Sequence, residues 1–228
     1  MAINIDAYPT LVKSAVTYFW TARASALQAQ EATGERDAGN RGAVTTGKNM
    51  DGFVQAAKSI ILQNGARPTD VVTDGRTHLT LPGFFRPTKN WDLLVVRGDR
   101  LAAVLEFKSQ VGSFGNNFNN RCEEALGNST DILKAFREGA FGDAPKPFLG
   151  YIMVLEDCEG STSPVRFTSP HFPAFPEFVD KSYAQRYEIL CRKLVQEGLY
   201  DAAALVLTNR ESGREGVYRE LSEGTGLR

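Results

Sequence analysis

The stretch Trp91-Asp92-Leu93-Leu94-Val95-Val96-Arg97-Gly98-Asp99-Arg100-Leu101-Ala102-Ala103-Val104-Leu105-Glu106-Phe107-Lys108-Ser109-Gln110 decides the fold. Residues 91–97 and 101–110 are mostly β-branched, aromatic or aliphatic, and Arg97-Gly98-Asp99-Arg100 between them carries turn chemistry, so the run reads as a β-hairpin. Alternation puts Leu101, Ala103, Leu105 and Phe107 on one face of the second strand. The other face begins with Ala102 and Val104 and then turns to Glu106 and Lys108. In the first strand Asp92 shares its face with Leu94 and Val96. Its charge sits at the opposite end of its own strand, so antiparallel pairing brings the charged ends together.

Facing residues in a hairpin have a constant sum of residue numbers, set by the loop. If Gly98-Asp99-Arg100 form a three-residue loop, Asp92 lies opposite Glu106, with Cβ atoms roughly 5 Å apart and Lys108 on the next diagonal. With a two-residue loop, Asp92 faces Leu105 instead. Joining the carboxylates therefore requires the odd loop or a compensating bulge.

Two adjacent carboxylates at the edge of an apolar sheet repel each other and are costly to desolvate unless a cation sits between them. A hard divalent ion answers this, because Mg²⁺ takes one or two protein carboxylates together with waters and phosphate oxygens. Lys108 can orient or deprotonate an attacking water, a role suited to an amine whose pKa falls on partial burial. The same residues would also suit a strand end that emerges into solvent.

Asp92…Glu106-Phe107-Lys108 resembles the PD-(D/E)XK nuclease core, and Ser109-Gln110-Val111-Gly112-Ser113-Phe114-Gly115-Asn116-Asn117-Phe118-Asn119-Asn120-Arg121 resembles the XhoI-type restriction endonucleases, over nearly the whole chain. Trp91 stands where the superfamily name has proline. The resemblance implies a type II enzyme that cuts the palindrome CTCGAG in duplex DNA with Mg²⁺, as a homodimer beside a matching methyltransferase with which it forms no stable complex. Asp92 and Glu106 would hold the metal and Lys108 would assist the water. A two-fold symmetric site calls for two-fold symmetric protein. Two other readings use the same residues: a repair or junction nuclease without base specificity, and an inactive DNA-binding module of this fold.

The glycines and asparagines after the catalytic strand read as a loop entering a helix at about 119–136, with Cys122, Ala125, Leu126, Ile132, Leu133 and Phe136 near helical spacing. Asn suits adenine and Arg suits guanine in the major groove. Ser109, Gln110, Ser113, Asn116, Asn117, Asn119, Asn120 and Arg121 are therefore candidate DNA contacts. Asn and Gly are also ordinary turn and cap residues.

Gly42-Ala43-Val44-Thr45-Thr46-Gly47-Lys48-Asn49 matches a phosphate-binding P-loop up to its last position, where Asn49 replaces the hydroxyl residue. Residues 31–41 are polar, with no buried strand before the loop, which excludes the nucleotidase reading. A helix follows, with Met50, Phe53, Val54, Ala57, Ile60 and Ile61 at helical spacing. Arg41, Lys48 and Asn49 become candidate DNA contacts, and Asp51 a candidate remote metal ligand or a partner of the helix dipole.

Composition bounds these readings. The 228 residues suit a single α/β domain with a mixed central sheet flanked by helices: a helical region at about 1–65, a nuclease core at about 70–155, and a proline-rich arm at about 156–180 followed by helix and strand. Net charge is −1, with 13 Lys/Arg against 10 Asp/Glu in residues 1–110 and 13 against 17 in 111–228. Any DNA surface must then be a local patch. Cys122, Cys158, Cys191, His78 and His171 are scattered and spell no zinc site, which suits reduced thiols in the cytosol. With no apolar leader or membrane span, a cytoplasmic protein is expected.

Helices are expected at 8–30 and 183–196, and strands at 148–155 and 202–207. The arm holds Pro164, Pro170, Pro173 and Pro176 with four phenylalanines, and is expected to wrap DNA or to form a dimer contact.

Overall fold

A computed structural model describes residues 4–33 and 48–220. Its centre is a six-stranded mixed sheet: β1 (Val71–Val72), β4 (Leu93–Arg97), β5 (Arg100–Gln110), β6 (Phe148–Glu156), β7 (Ala202–Thr208) and β8 (Arg219–Glu220), in that spatial order. β5, β6 and β7 are mutually parallel, and the remaining pairs are antiparallel. The four long helices are α1 (Tyr8–Thr33), α2 (Asp51–Gln63), α3 (Phe114–Arg137) and α4 (Tyr183–Gln196).

Period-two alternation divides the core into two layers. Leu93, Phe107, Val154 and Val206 pack with Val16, Phe19 and Phe53 of α1 and α2 on one face. Leu94, Val104, Met153 and Leu205 pack with Ile132 of α3 and Tyr187 of α4 on the other. Successive residues such as Leu93 and Leu94 thus enter different cores, which is why the central strands read as continuous apolar runs.

The hairpin closes on the two-residue loop Gly98-Asp99, with Arg97 paired to Arg100 and Val96 to Leu101. A β-bulge then leaves Ala102 unpaired, and from Val95↔Ala103 to Leu93↔Leu105 the register is shifted by one. Continued one residue further, it sets Asp92 opposite Glu106. The compensating bulge, rather than the three-residue loop, joins the carboxylates. It also breaks the alternation, so that Leu101 belongs to the same core as Val104 while Leu105 and Phe107 face the other.

Helix α3 begins at Phe114, five residues before the expected start. Gly112 and Ser113 both have left-handed backbones (φ 66° and 46°), which completes the turn in two residues. The asparagines are therefore helical. Their weak propensity is overridden by Phe114 and Phe118, which pack on Tyr183 and Tyr187 of α4. α4 is closed at its N-terminus by a capping box in which Ser182 Oγ accepts from Gln185 N and Gln185 Oε1 accepts from Ser182 N.

The sequence reading lacked a second, two-stranded sheet, β2 (Thr80–Pro82) with β3 (Thr88–Asn90). The buried Asp131 of α3 ties its connecting loop down, accepting from Phe84 N, Phe85 N and Arg86 Nε at 2.8, 2.8 and 2.7 Å. The proline-rich arm lies along α4. Arg186 Nη2 donates to Val165 O at 2.6 Å and its guanidinium faces the Phe167 ring, while Lys193 faces Phe175 and Phe178. Among the described residues no helix is long and apolar enough to cross a membrane.

Because Ala102 is the extra residue, a chain lacking it is expected to form a regular hairpin with Asp92 still opposite Glu106, melting within about 4 °C of the parent. A collapse of the melting transition would show that the bulge itself supports the core.

Candidate active site

Asp92 ends the link from β3 to β4, and its Oδ2 accepts from Phe107 N at 2.7 Å. That bond crosses from one hairpin strand to the other and fixes the carboxylate beside Glu106. Glu106 is only 2% exposed. Its Oε2 receives Lys89 Nζ at 2.8 Å, and its Oε1 receives Lys108 Nζ at 2.5 Å and Asn128 Nδ2 at 3.2 Å. Asp92, Glu106, Lys89 and Lys108 thus form a cluster of four charges that is formally neutral, the condition under which buried ions are tolerable.

Burial, and then the charge of Glu106, push the Asp92 carboxyl up to about 6. Lys108 differs from expectation: burial alone would lower its pKa, but Glu106, Asp92 and Glu124 more than offset that and hold it above the ordinary value. In this arrangement Lys108 is a firmly protonated ammonium that donates to Glu106.

α3 supplies the wall of the site. Arg121, Glu124, Asn128 and Asp131 recur at helical spacing on one stripe. Arg121 Nη1 pairs with Glu124 at 2.5 Å, Glu124 lies close enough to Lys108 to act on its charge, and Asn128 Oδ1 accepts from Arg86 Nη2 at 2.8 Å. Of the expected DNA contacts, Arg121 is therefore brought to the flank of the carboxylate pair. Asn116, Asn119 and Asn120 are exposed along the first turns of α3, and Ser113 is exposed at its start. Ser109 is half-buried, and Asn117 Nδ2 donates to Ser113 O at 2.9 Å.

Two of the expected contacts are buried. Gln110 and Asn49 are each 5% exposed, and Gln110 spends its amide on Gly112 O, holding the turn into α3. Neither side chain is presented to a base edge. Arg41 and the Lys48 side chain lie outside the described residues. Asp51 is exposed in the first turn of α2, lining a groove between α1 and α2, and no third carboxylate, histidine or cysteine joins Asp92 and Glu106 among the described residues.

The donor set fits a hard divalent ion. Two carboxylates converge, and Mg²⁺ completes its shell with waters and phosphate oxygens rather than a full protein cage. Sequence reasoning missed Lys89, Asn128 and Asp131. Lys89 sits in a three-residue strand too short to show alternation. The polar stripe on α3 shows in the sequence only as spacing, interleaved with the apolar one.

The Asp92 shift has a measurable sign. Its pKa is raised from 3.8 to about 6 on folding, so this group favours the fold below pH ~4, and that contribution is lost as pH rises through about 6. Asp92→Asn keeps the acceptor for Phe107 N but removes the charge. Without divalent ions, its melting temperature should exceed the parent's at pH 8, and the difference should vanish near pH 4. A variant less stable than the parent at pH 8 would contradict this.

The model of the family described as restriction endonuclease XhoI matches residues 29–220. The chain is 49% identical over 199 residues to the type II restriction enzyme XhoI of Xanthomonas vasicola, covering 87% of this chain and 79% of that one. It is 51% identical over 191 residues to the type II restriction enzyme BstVI of Geobacillus stearothermophilus (81% and 84% covered), and 49% identical over 173 residues to AbrI of Azospirillum brasilense (75% and 77% covered). No solved structure matches the chain. With the family's match extending through both strands of the β4–β5 hairpin and helix α3, the chain belongs to the XhoI family of restriction endonucleases.

Proposed function

We propose that the protein is a Mg²⁺-dependent type II restriction endonuclease that cuts duplex DNA at CTCGAG. Its relatives support type II DNA cleavage. The single observation that carries the chemistry is the burial of Glu106 beside Asp92 with two ammoniums on its oxygens.

In this reading Asp92 and Glu106 hold the ion, and Phe107 N keeps Asp92 in place through its hydrogen bond. A bound Mg²⁺ supplies a Lewis acid for the phosphate and lowers the pKa of a bound water. Lys108, kept cationic, donates to the water or to a phosphate oxygen and offsets the charge that builds on phosphorus. The water gives up a proton to solvent as its oxygen forms the new bond to phosphorus, one bridging P–O bond breaks, and the departing oxygen takes a proton from solvent. Asn116, Asn119 and Asn120, exposed on the first turns of α3, and Arg121, once released from Glu124, would read base edges.

The target sequence comes from the likeness to XhoI. A palindrome with one active site per strand calls for a homodimer. A methyltransferase of the same specificity would protect the host genome in the cytoplasm where both act.

A plasmid of known sequence, incubated with Mg²⁺ and with EDTA, tests this. Discrete cuts at CTCGAG are expected in Mg²⁺ alone, with Glu106→Gln slowing cleavage by at least about 10³-fold while melting as a folded protein. Cuts at another fixed sequence would keep the chemistry and overturn the target. A folded parent that cuts nothing would overturn the enzyme reading. Sedimentation with a CTCGAG duplex in Ca²⁺ should show two chains per duplex, and a single chain would contradict the dimer.

A further inference from the structure

Glu106 is held by two lysines that differ in where they come from. Lys108 is two residues away on the same central strand. Lys89 reaches in from the separate β2–β3 sheet, and its Nζ also donates to Asn90 O at 2.8 Å and stands 3.9 Å from the Trp91 ring centroid. The loop of that small sheet exposes the Phe84 and Phe85 rings, while its backbone and Arg86 are tied to Asp131 and Asn128 of α3.

We propose that Lys89 is a positioning residue of the active site: it acts as a provisional counter-ion that holds Glu106 Oε2 until a divalent cation takes that oxygen, and then transfers its ammonium to the DNA phosphate. This rests on the reading of Asp92 and Glu106 as an ion site. The physical argument is charge accounting at a 2% exposed carboxylate. Glu106 cannot be left buried without a cation, and Asp92 beside it raises the cost. Its Oε1 is taken by Lys108 and Asn128, so Oε2, held by Lys89 alone, is the oxygen a metal can claim. A dication beside an ammonium at the same oxygen is repelled, and Lys89, which sits on Oε2 while Lys108 sits on Oε1, is the group that yields. With Asp92 also engaged by the ion, phosphate oxygens of bound DNA would be the anions left to receive the ammonium.

Trp91 makes the movement visible, because the ammonium lies over its ring. Trp20 is the only other tryptophan, so Trp20→Phe leaves Trp91 as the sole emitter. Ca²⁺ titrations of that protein, followed by calorimetry and by Trp91 emission, are expected to give one curve that Glu106→Gln abolishes. Lys89→Met in the same background should bind Ca²⁺ roughly tenfold more tightly, through loss of the competing charge, with Trp91 emission unchanged during the titration. Lys89→Arg should restore the emission change. Ca²⁺ binding through Glu106 with flat Trp91 emission in the Lys89 protein, or an affinity unmoved by Lys89→Met, would overturn the role of Lys89 and leave the ion site standing. No Glu106-dependent heat in any of these proteins would overturn the ion site and this proposal with it.

Discussion

A carboxylate buried to 2% exposure at the middle of a sheet is the constraint around which this molecule is arranged. Glu106 can be there only if cations and donors surround it, and each neighbouring element supplies one. β5 contributes Lys108, the small β2–β3 sheet contributes Lys89, and α3 contributes Asn128. Asp92 is brought alongside by the hairpin register and fixed by Phe107 N. The cluster is thus assembled from three stretches of sequence, residues 89–92, 106–108 and 128, and the repulsion of two adjacent acids is offset locally rather than by the body of the protein, whose net charge is −1.

The apolar layers exist to hold that arrangement still. One layer clamps α1 and α2 to the sheet through Phe107, next to Glu106, and the other clamps α3 through Ile132, one turn beyond Asn128. Because successive residues of β5 alternate between layers, any slip by one residue would exchange Glu106 with Phe107 and put a charge into the apolar face. The bulge at Ala102 allows a short loop to coexist with the register that the carboxylates need.

Much of this could be read from residues alone, and the boundary is physical. The β4–β5 hairpin, the helix at 183–196 and the two parallel strands follow from long, regular apolar patterns. The requirement for either an odd loop or a bulge also followed, since it is arithmetic on facing residues, although that arithmetic could not choose between them. What escaped was local structure decided by tertiary packing. The asparagine-rich turn is helical because Phe114 and Phe118 are buried against α4, a fact no propensity scale holds. Lys89 and Asp131 act across 17 and 47 positions of sequence, through hydrogen bonds that a linear pattern does not record. Gln110 and Asn49, chosen for their chemistry, turned out to be buried. The direction of the Lys108 shift reversed because its carboxylate partners outweigh its desolvation.

In the proposed chemistry Asp92 and Glu106 together hold the ion on which cleavage depends. The most direct measurement is the anomalous scattering of Mn²⁺ in crystals of the protein bound to a CTCGAG duplex. A peak is expected between the Asp92 and Glu106 carboxylates, in contact with a backbone phosphate. A peak bound elsewhere, or an ordered active site on DNA with Lys89 still seated on Glu106 and no peak at all, would contradict it.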